Sequence, residues 1–195
     1  MNLFPNKSKI IIVGLMLAMT LTRFNHFGTS VSLPDASLAV FFLGGLYLSK
    51  FPKARWVFVA LLMEAALVDY YAITVKGMSD WCVTPAYGFL AIAYGVLWFA
   101  GKWFAPRHTL TGRNLLGVFV VTAMSTSLAF IISNVSFFLL SGRYAGMSAT
   151  VYALSVAQYW SSYVGVALIY VASAFSAHMV YILLKGKSLN RPHVA

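Results

Sequence analysis

Residues 56–75 read WVFVALLMEAALVDYYAITV, twenty positions between Arg55 and Lys76 with only Glu64 and Asp69 charged. A helix of that length rises about 30 Å, the thickness of a bilayer's hydrocarbon core. The run therefore predicts a membrane-spanning helix whose two acids need partners. Cutting the rest of the chain at its charges gives further apolar runs at 10–22, 37–49, 83–101, 115–140 and 144–184. The chain is 61% hydrophobic and 9% charged, whereas a soluble domain carries about a quarter charged residues. A water-soluble core with a solvated skin is excluded.

The last run is too long for one crossing. Its first part carries Ser148, Thr150, Tyr152, Ser155, Gln158, Tyr159 and Trp160. That composition predicts a loop or interfacial helix over 144–158 that walls a pocket, with a sixth helix after it, because irregular backbone at membrane depth must be covered. The first two runs are short. They reach spanning length only by taking in Arg23, Asn25, His26 and part of 28–36, where Arg23 would snorkel to the boundary. The expected fold is all-α: one transmembrane domain over residues 1–195, with helices near 8–26, 35–50, 56–75, 82–102, 114–140 and 159–185. Lys7 and Lys9 followed by an apolar run resemble a signal peptide, but without a small-x-small cleavage site the segment reads as a retained helix.

Charge sets the expected topology. With six helices, one side holds Lys7, Lys9, Lys50, Lys53, Arg55, Lys102, Arg107, Arg113, Lys185, Lys187 and Arg191, against Arg23, Lys76 and Arg143 on the other. The positive-inside rule then places both termini in the cytoplasm. A seventh crossing would move Lys185, Lys187 and Arg191 outside. The net charge of +10 is spread between apolar runs, a topology signal and no nucleic-acid surface. A single cysteine excludes an internal disulfide. There is no phosphate-binding glycine loop, zinc-ligand spacing, hydrolase triad or inverted repeat.

This topology collects the rare residues on the outer side: Arg23, His26, Asp35, Asp69, Asp80, Trp81, Cys82, Tyr87 and Arg143. Asp69-Tyr70-Tyr71 closes helix three, and Asp80-Trp81-Cys82-Val83-Thr84-Pro85-Ala86-Tyr87 opens helix four. A thiol at a helix N-terminus is expected to have a lowered pKa, and its soft thiolate suits cobalt or copper better than magnesium or calcium. Each residue also has a plain structural alternative. Cys82 would be a small buried hydrophobe, Asp69 an ion-pair partner of Arg143, Arg23 or Lys76, Tyr87 an interface anchor, and His26 a loop residue without a role. Glu64, deeper in helix three, should be neutral or hydrogen-bonded to another helix. Gly14-x-x-x-Ala18 and Gly44-Gly45 permit close helix packing, inside the bundle or against a partner. Trp81, Tyr87, Tyr144, Tyr152, Tyr159 and Trp160 are placed to line a wide outer pocket.

In length, helix pattern and the two motifs Asp69-Tyr70-Tyr71 and Asp80-Trp81-Cys82-x-x-Pro85-x-Tyr87, the chain resembles the S-components of energy-coupling factor (ECF) vitamin transporters, and most closely the BtuM family of solitary cobalamin carriers. The resemblance implies vitamin B12 uptake across the bacterial inner membrane by a multi-pass protein. Cobalamin would be the transported ligand, with Cys82 on the corrin cobalt from one axial face. Asp69 and Tyr87 would shape the pocket, with Arg143, His26, Asp80 and Trp81 as further ligand contacts. A thiolate opposite bound cyanide would also favour decyanation of cyanocobalamin. Many S-components dock an energising ECF module through Ala-x-x-x-Ala on helix one, where this chain has Gly14 and Ala18. The competing assignments are a membrane cysteine transpeptidase of the exosortase type using Cys82, Arg143 and His26, and a scaffold subunit of a larger membrane complex.

Overall fold

The computed structural model describes residues 4–23, 33–107 and 112–189. Among them the secondary structure is entirely helical: α1 (Phe4–Arg23), α2 (Ser37–Tyr47), α3 (Ala54–Thr74), α4 (Phe89–Phe104), α5 (Gly112–Leu140), α6 (Ala149–Ala157) and α7 (Trp160–Leu189). A turn of 3₁₀ helix, Pro85–Gly88, leads into α4. Among the described residues, four stretches are long and apolar enough to cross a membrane: Ala54–Thr74, Pro85–Arg107, Arg113–Leu140 and Trp160–Leu184.

Of the six expected spans, these four have the length and hydropathy to cross, and the two short runs fall short of it. α2 has eleven residues, only about 16 Å of helix, because the chain turns over Leu48–Lys53, the stretch that carries Lys50 and Lys53. α1 has an apolar stretch of only thirteen residues between Lys9 and Arg23. Helix four also begins later than expected, at Pro85. Proline suits the first turn of a helix because its missing N–H would have no partner there. The Thr84 hydroxyl accepts from the Ala86 N–H at 3.3 Å and caps that turn. The interfacial element expected over 144–158 is α6, capped by Ser148, whose hydroxyl accepts from the Val151 N–H at 3.3 Å.

α2 is the centre of the bundle. It touches α1, α3, α4, α5 and α7, and every residue from Ser37 to Leu46 is buried. A continuously apolar helix is buried on all sides rather than along one stripe. Its closest neighbour is α4. A Cβ on Gly45 would strike the Trp98 backbone, and one on Gly101 the Phe42 carbonyl, so glycine on both helices lets the two backbones meet. The expected packing role of Gly44-Gly45 is thus internal. Gly14, by contrast, has nothing within 4 Å of a would-be Cβ. Aromatic stacking fills the α2–α3–α4 seam: Phe41 lies parallel to Tyr94 at 4.3 Å and edge-on to Phe58 at 5.5 Å.

Candidate functional site: a buried arginine cluster beneath an exposed thiol

Arg23 ends α1 and is 1% exposed. It does not snorkel to the boundary, because five acceptors are waiting inside. Its Nε donates to Asp69 Oδ1 at 2.8 Å and to the Ala65 carbonyl at 3.2 Å, and its Nη2 donates to Asp69 Oδ2 at 2.7 Å. Its Nη1 donates to Ser37 Oγ and to Tyr94 OH, each at 2.8 Å, and lies 3.5 Å from Asp35 Oδ2. The planar fork of guanidinium matches a carboxylate bidentately, a geometry lysine lacks. Of the three ion-pair partners open to Asp69 in the sequence, the structure selects Arg23. Tyr87 completes the set by donating to Asp69 Oδ2 at 2.6 Å, so its hydroxyl points inward.

Asp35 belongs to the same assembly. Its Oδ1 accepts from the Ser37 backbone N–H at 2.9 Å and from the Ser37 hydroxyl at 2.6 Å, which places a carboxylate at the start of α2, where the helix dipole favours it. Thr22 on α1 accepts from the Ala36 N–H at 3.0 Å, and Tyr170 on α7 donates to the Pro34 carbonyl at 2.6 Å. One end of α1, α2, α3, α4 and α7 is thereby tied through polar groups.

At that same end lies the α3–α4 connection carrying Asp80, Trp81 and Cys82. All three are exposed. Cys82 sits in the connection, three residues before Pro85, and does not open a helix as expected. The Val83 N–H bonds the Asp80 carbonyl at 2.8 Å, and the Thr84 N–H bonds the Cys82 carbonyl at 3.1 Å, so the thiol rides on a tight turn. Arg143, from the α5–α6 connection, clamps this turn. Its guanidinium lies 3.9 Å over the Trp81 ring, and its Nε donates to the Trp81 carbonyl at 3.1 Å. Cation–π contact and hydrogen bond together hold residue 81 beside the thiol.

The sequence led us to expect a lowered thiol pKa; the structure gives the opposite direction. Partial desolvation pushes the Cys82 thiol up, the Asp69 carboxylate pushes it further, and Arg143 opposes both. Without a helix N-terminus at residue 82, the dipole that would favour thiolate is missing. Cys82 is therefore a protonated thiol at neutral pH, and it must release a proton to bind a metal. His26 lies outside the described residues. Among the described residues, no three His, Cys, Asp or Glu side chains come together as a metal site.

The outer aromatics divide between two places. Trp81 and Tyr87 belong to the thiol and arginine assembly. Tyr152 and Trp160 line a separate cavity of about 660 Å³ between α5 and α6, with Phe130, Asn134, Phe138 and Val156. Tyr152 donates to Asn134 Oδ1 at 3.3 Å, and Trp160 Nε1 donates to Ser127 Oγ at 3.0 Å. Tyr144 packs edge-on against Tyr152 at 4.7 Å, while Tyr159 is exposed. Cys82 does not line this cavity.

Ser37 and Tyr94 were not legible as site residues. Their only sequence signal is a polar atom inside otherwise apolar runs. The opposite charges at Arg23 and Asp69, each costly in lipid when alone, are the stronger signal. Comparison with known proteins finds no matching family model and no matching curated sequence.

Proposed function

We propose that this chain carries cobalamin across the bacterial cytoplasmic membrane, with six crossings, both termini in the cytoplasm and the Cys82 end facing outward. The observation that supports this most is the exposed thiol on a clamped turn, beside a rigid polar cluster of Arg23, Asp69 and Tyr87. A ligand-capable sulfur with a buried framework beneath it suits a large cargo whose metal needs one soft axial ligand. Asp69 and Tyr87 support the thiol from below, Arg143 and Trp81 flank it, and Asp80 adds an exposed acceptor. His26 would join from the α1–α2 connection.

Binding would convert the Cys82 thiol and a cyanide-bearing cobalt(III) into a sulfur–cobalt(III) bond and hydrogen cyanide. The thiol proton leaves with the cyanide electron pair, and no oxidation state changes. The open face at Gly14, near Ala18, supports docking of an ECF-type energising module on α1. The transpeptidase assignment needs a thiolate nucleophile activated by a base, and partial desolvation and Asp69 both hold the Cys82 thiol protonated.

Titrating the purified protein with cyanocobalamin and following the corrin absorption bands tests the proposal. The wild type should shift the bands and release cyanide, and Cys82→Ser should do neither. Identical spectra for the two proteins would remove cobalt ligation by Cys82.

A further inference from the structure

Two of the four acids stand outside the arginine cluster, Glu64 and the exposed Asp80. Glu64 sits halfway along α3, and the Thr20 hydroxyl of α1 donates to its Oε1. Its Oε2 is buried with no hydrogen-bond partner. Glu64 is the one polar residue lining a cavity of about 430 Å³ between α1 and α3, formed with Met16, Ala60, Met63, Leu67 and Val68. Met63 and Leu67 are exposed on this face, in the middle of a helix apolar enough to span a membrane. The cavity therefore opens sideways towards lipid, away from the aqueous end that holds Cys82.

We infer that Glu64 is a proton-binding site within the bilayer: a neutral carboxylic acid whose Oε1 is held by Thr20 and whose unpartnered Oε2 lies buried beside the α1–α3 cavity. Among the described residues, no cation forms an ion pair with it; Arg23 attracts a Glu64 carboxylate only from a distance, because its guanidinium is committed elsewhere. On α1 the nearest cation is Arg23, and its guanidinium is engaged by Asp69, Ser37, Tyr94 and the Ala65 carbonyl. On α3 the next acid is Asp69, already bound to Arg23. α2, residues 37–47, carries no charged side chain, and its one titratable group, Tyr47, lies at the far end beside His178. A carboxylate at the centre of a membrane helix without a cation is expensive, and taking up a proton removes that charge. The Thr20 hydroxyl can donate to Oε1 in either state, so it is the unpartnered Oε2 and its apolar surroundings that favour the neutral form. Ionisation would leave a charge at the α1–α3 seam, so the proton is tied to how these two helices meet. This inference is independent of the corrinoid proposal.

Carbodiimides distinguish the two states. A protonated carboxyl adds across one C=N bond of the reagent: its proton goes to nitrogen and its oxygen bonds the central carbon, giving an O-acylisourea that rearranges to a stable N-acylurea. The full chain in proteoliposomes would be treated with lipid-soluble dicyclohexylcarbodiimide or with a water-soluble carbodiimide, and the adducts mapped by peptide mass spectrometry. Exposed Asp80 serves as the internal control. The expected result is Glu64 labelled by the lipid-soluble reagent at pH 6, several-fold less at pH 9, and spared by the water-soluble reagent that modifies Asp80. Glu64→Gln should remove that adduct alone. Two results would overturn the inference: no Glu64 adduct at pH 6 while other carboxyls react, or labelling by the water-soluble reagent as readily as Asp80.

Discussion

Arg23 and Asp69 make each other tolerable inside an apolar bundle. Removing one leaves a buried, uncompensated charge, which typically costs about 3–5 kcal/mol. Asp69→Asn or Arg23→Gln should therefore lower the thermal midpoint in detergent markedly. Joint replacement by Leu at 69 and Met at 23 should recover much of it, since a well-packed apolar pair is often neutral. If that stable double variant also fails to bind cobalamin, the cluster serves the ligand as well as the fold. Tyr87→Phe removes one bond to a charged acceptor and should cost about 1.5–3 kcal/mol. The thiol gives a separate test. Because desolvation and Asp69 raise the Cys82 pKa and Arg143 lowers it, the rate of iodoacetamide alkylation should climb through an inflection above that of a free cysteine. Arg143→Gln should move that inflection higher and slow alkylation at neutral pH. A downward movement would mean that Arg143 does not act on the thiol.

Among the helices, α2 and α4 are held by backbone contact that larger side chains forbid. Gly45→Ala sets a methyl against the Trp98 backbone, which cannot swing aside as a flexible side chain would. Overpacking of this kind costs about 1–3 kcal/mol, so the variant should unfold at lower temperature than wild type. Gly14→Ala meets open space and should leave the melting of the purified chain unchanged. Were an ECF-type module to dock on α1, Gly14→Leu would weaken that complex with no loss of stability in the isolated chain.

For the whole molecule, hydrogen bonds and ring contacts tie the α1 C-terminus, the start of α2, the end of α3 and the start of α4 into one end of the bundle. The α5–α6 connection joins it through Arg143 and Trp81. At the opposite end, Tyr47 and His178 lie 3.5 Å apart. The proposed orientation can be checked by cysteine accessibility in a Cys82→Ser background. A cysteine at Arg143 should react with an impermeant maleimide added outside intact cells, and one at Lys53 only after the membrane is opened. The reverse pattern would invert the proposed orientation and place the thiol in the cytoplasm.

The sequence alone determined where the long apolar helices lie, because charge and hydropathy act locally: lipid penalises each ion wherever it sits in the fold. The positions of α3, α5 and α7 follow from that penalty, whereas residues 144–158 read equally as a loop or an interfacial helix, and α6 there is the structure's finding. The penalty does not act on pairing. Arg23 and Asp69 are separated by 46 residues, and only packing of α1 against α3 chooses that partner over Lys76 or Arg143. The spacing of glycines in α2 permits close approach, while the Trp98 backbone on α4 decides that the approach is internal. Cys82 was legible as a unique thiol, but its acidity was not. That depends on a turn in place of a helix start, on a carboxylate from α3, and on a guanidinium from the α5–α6 connection.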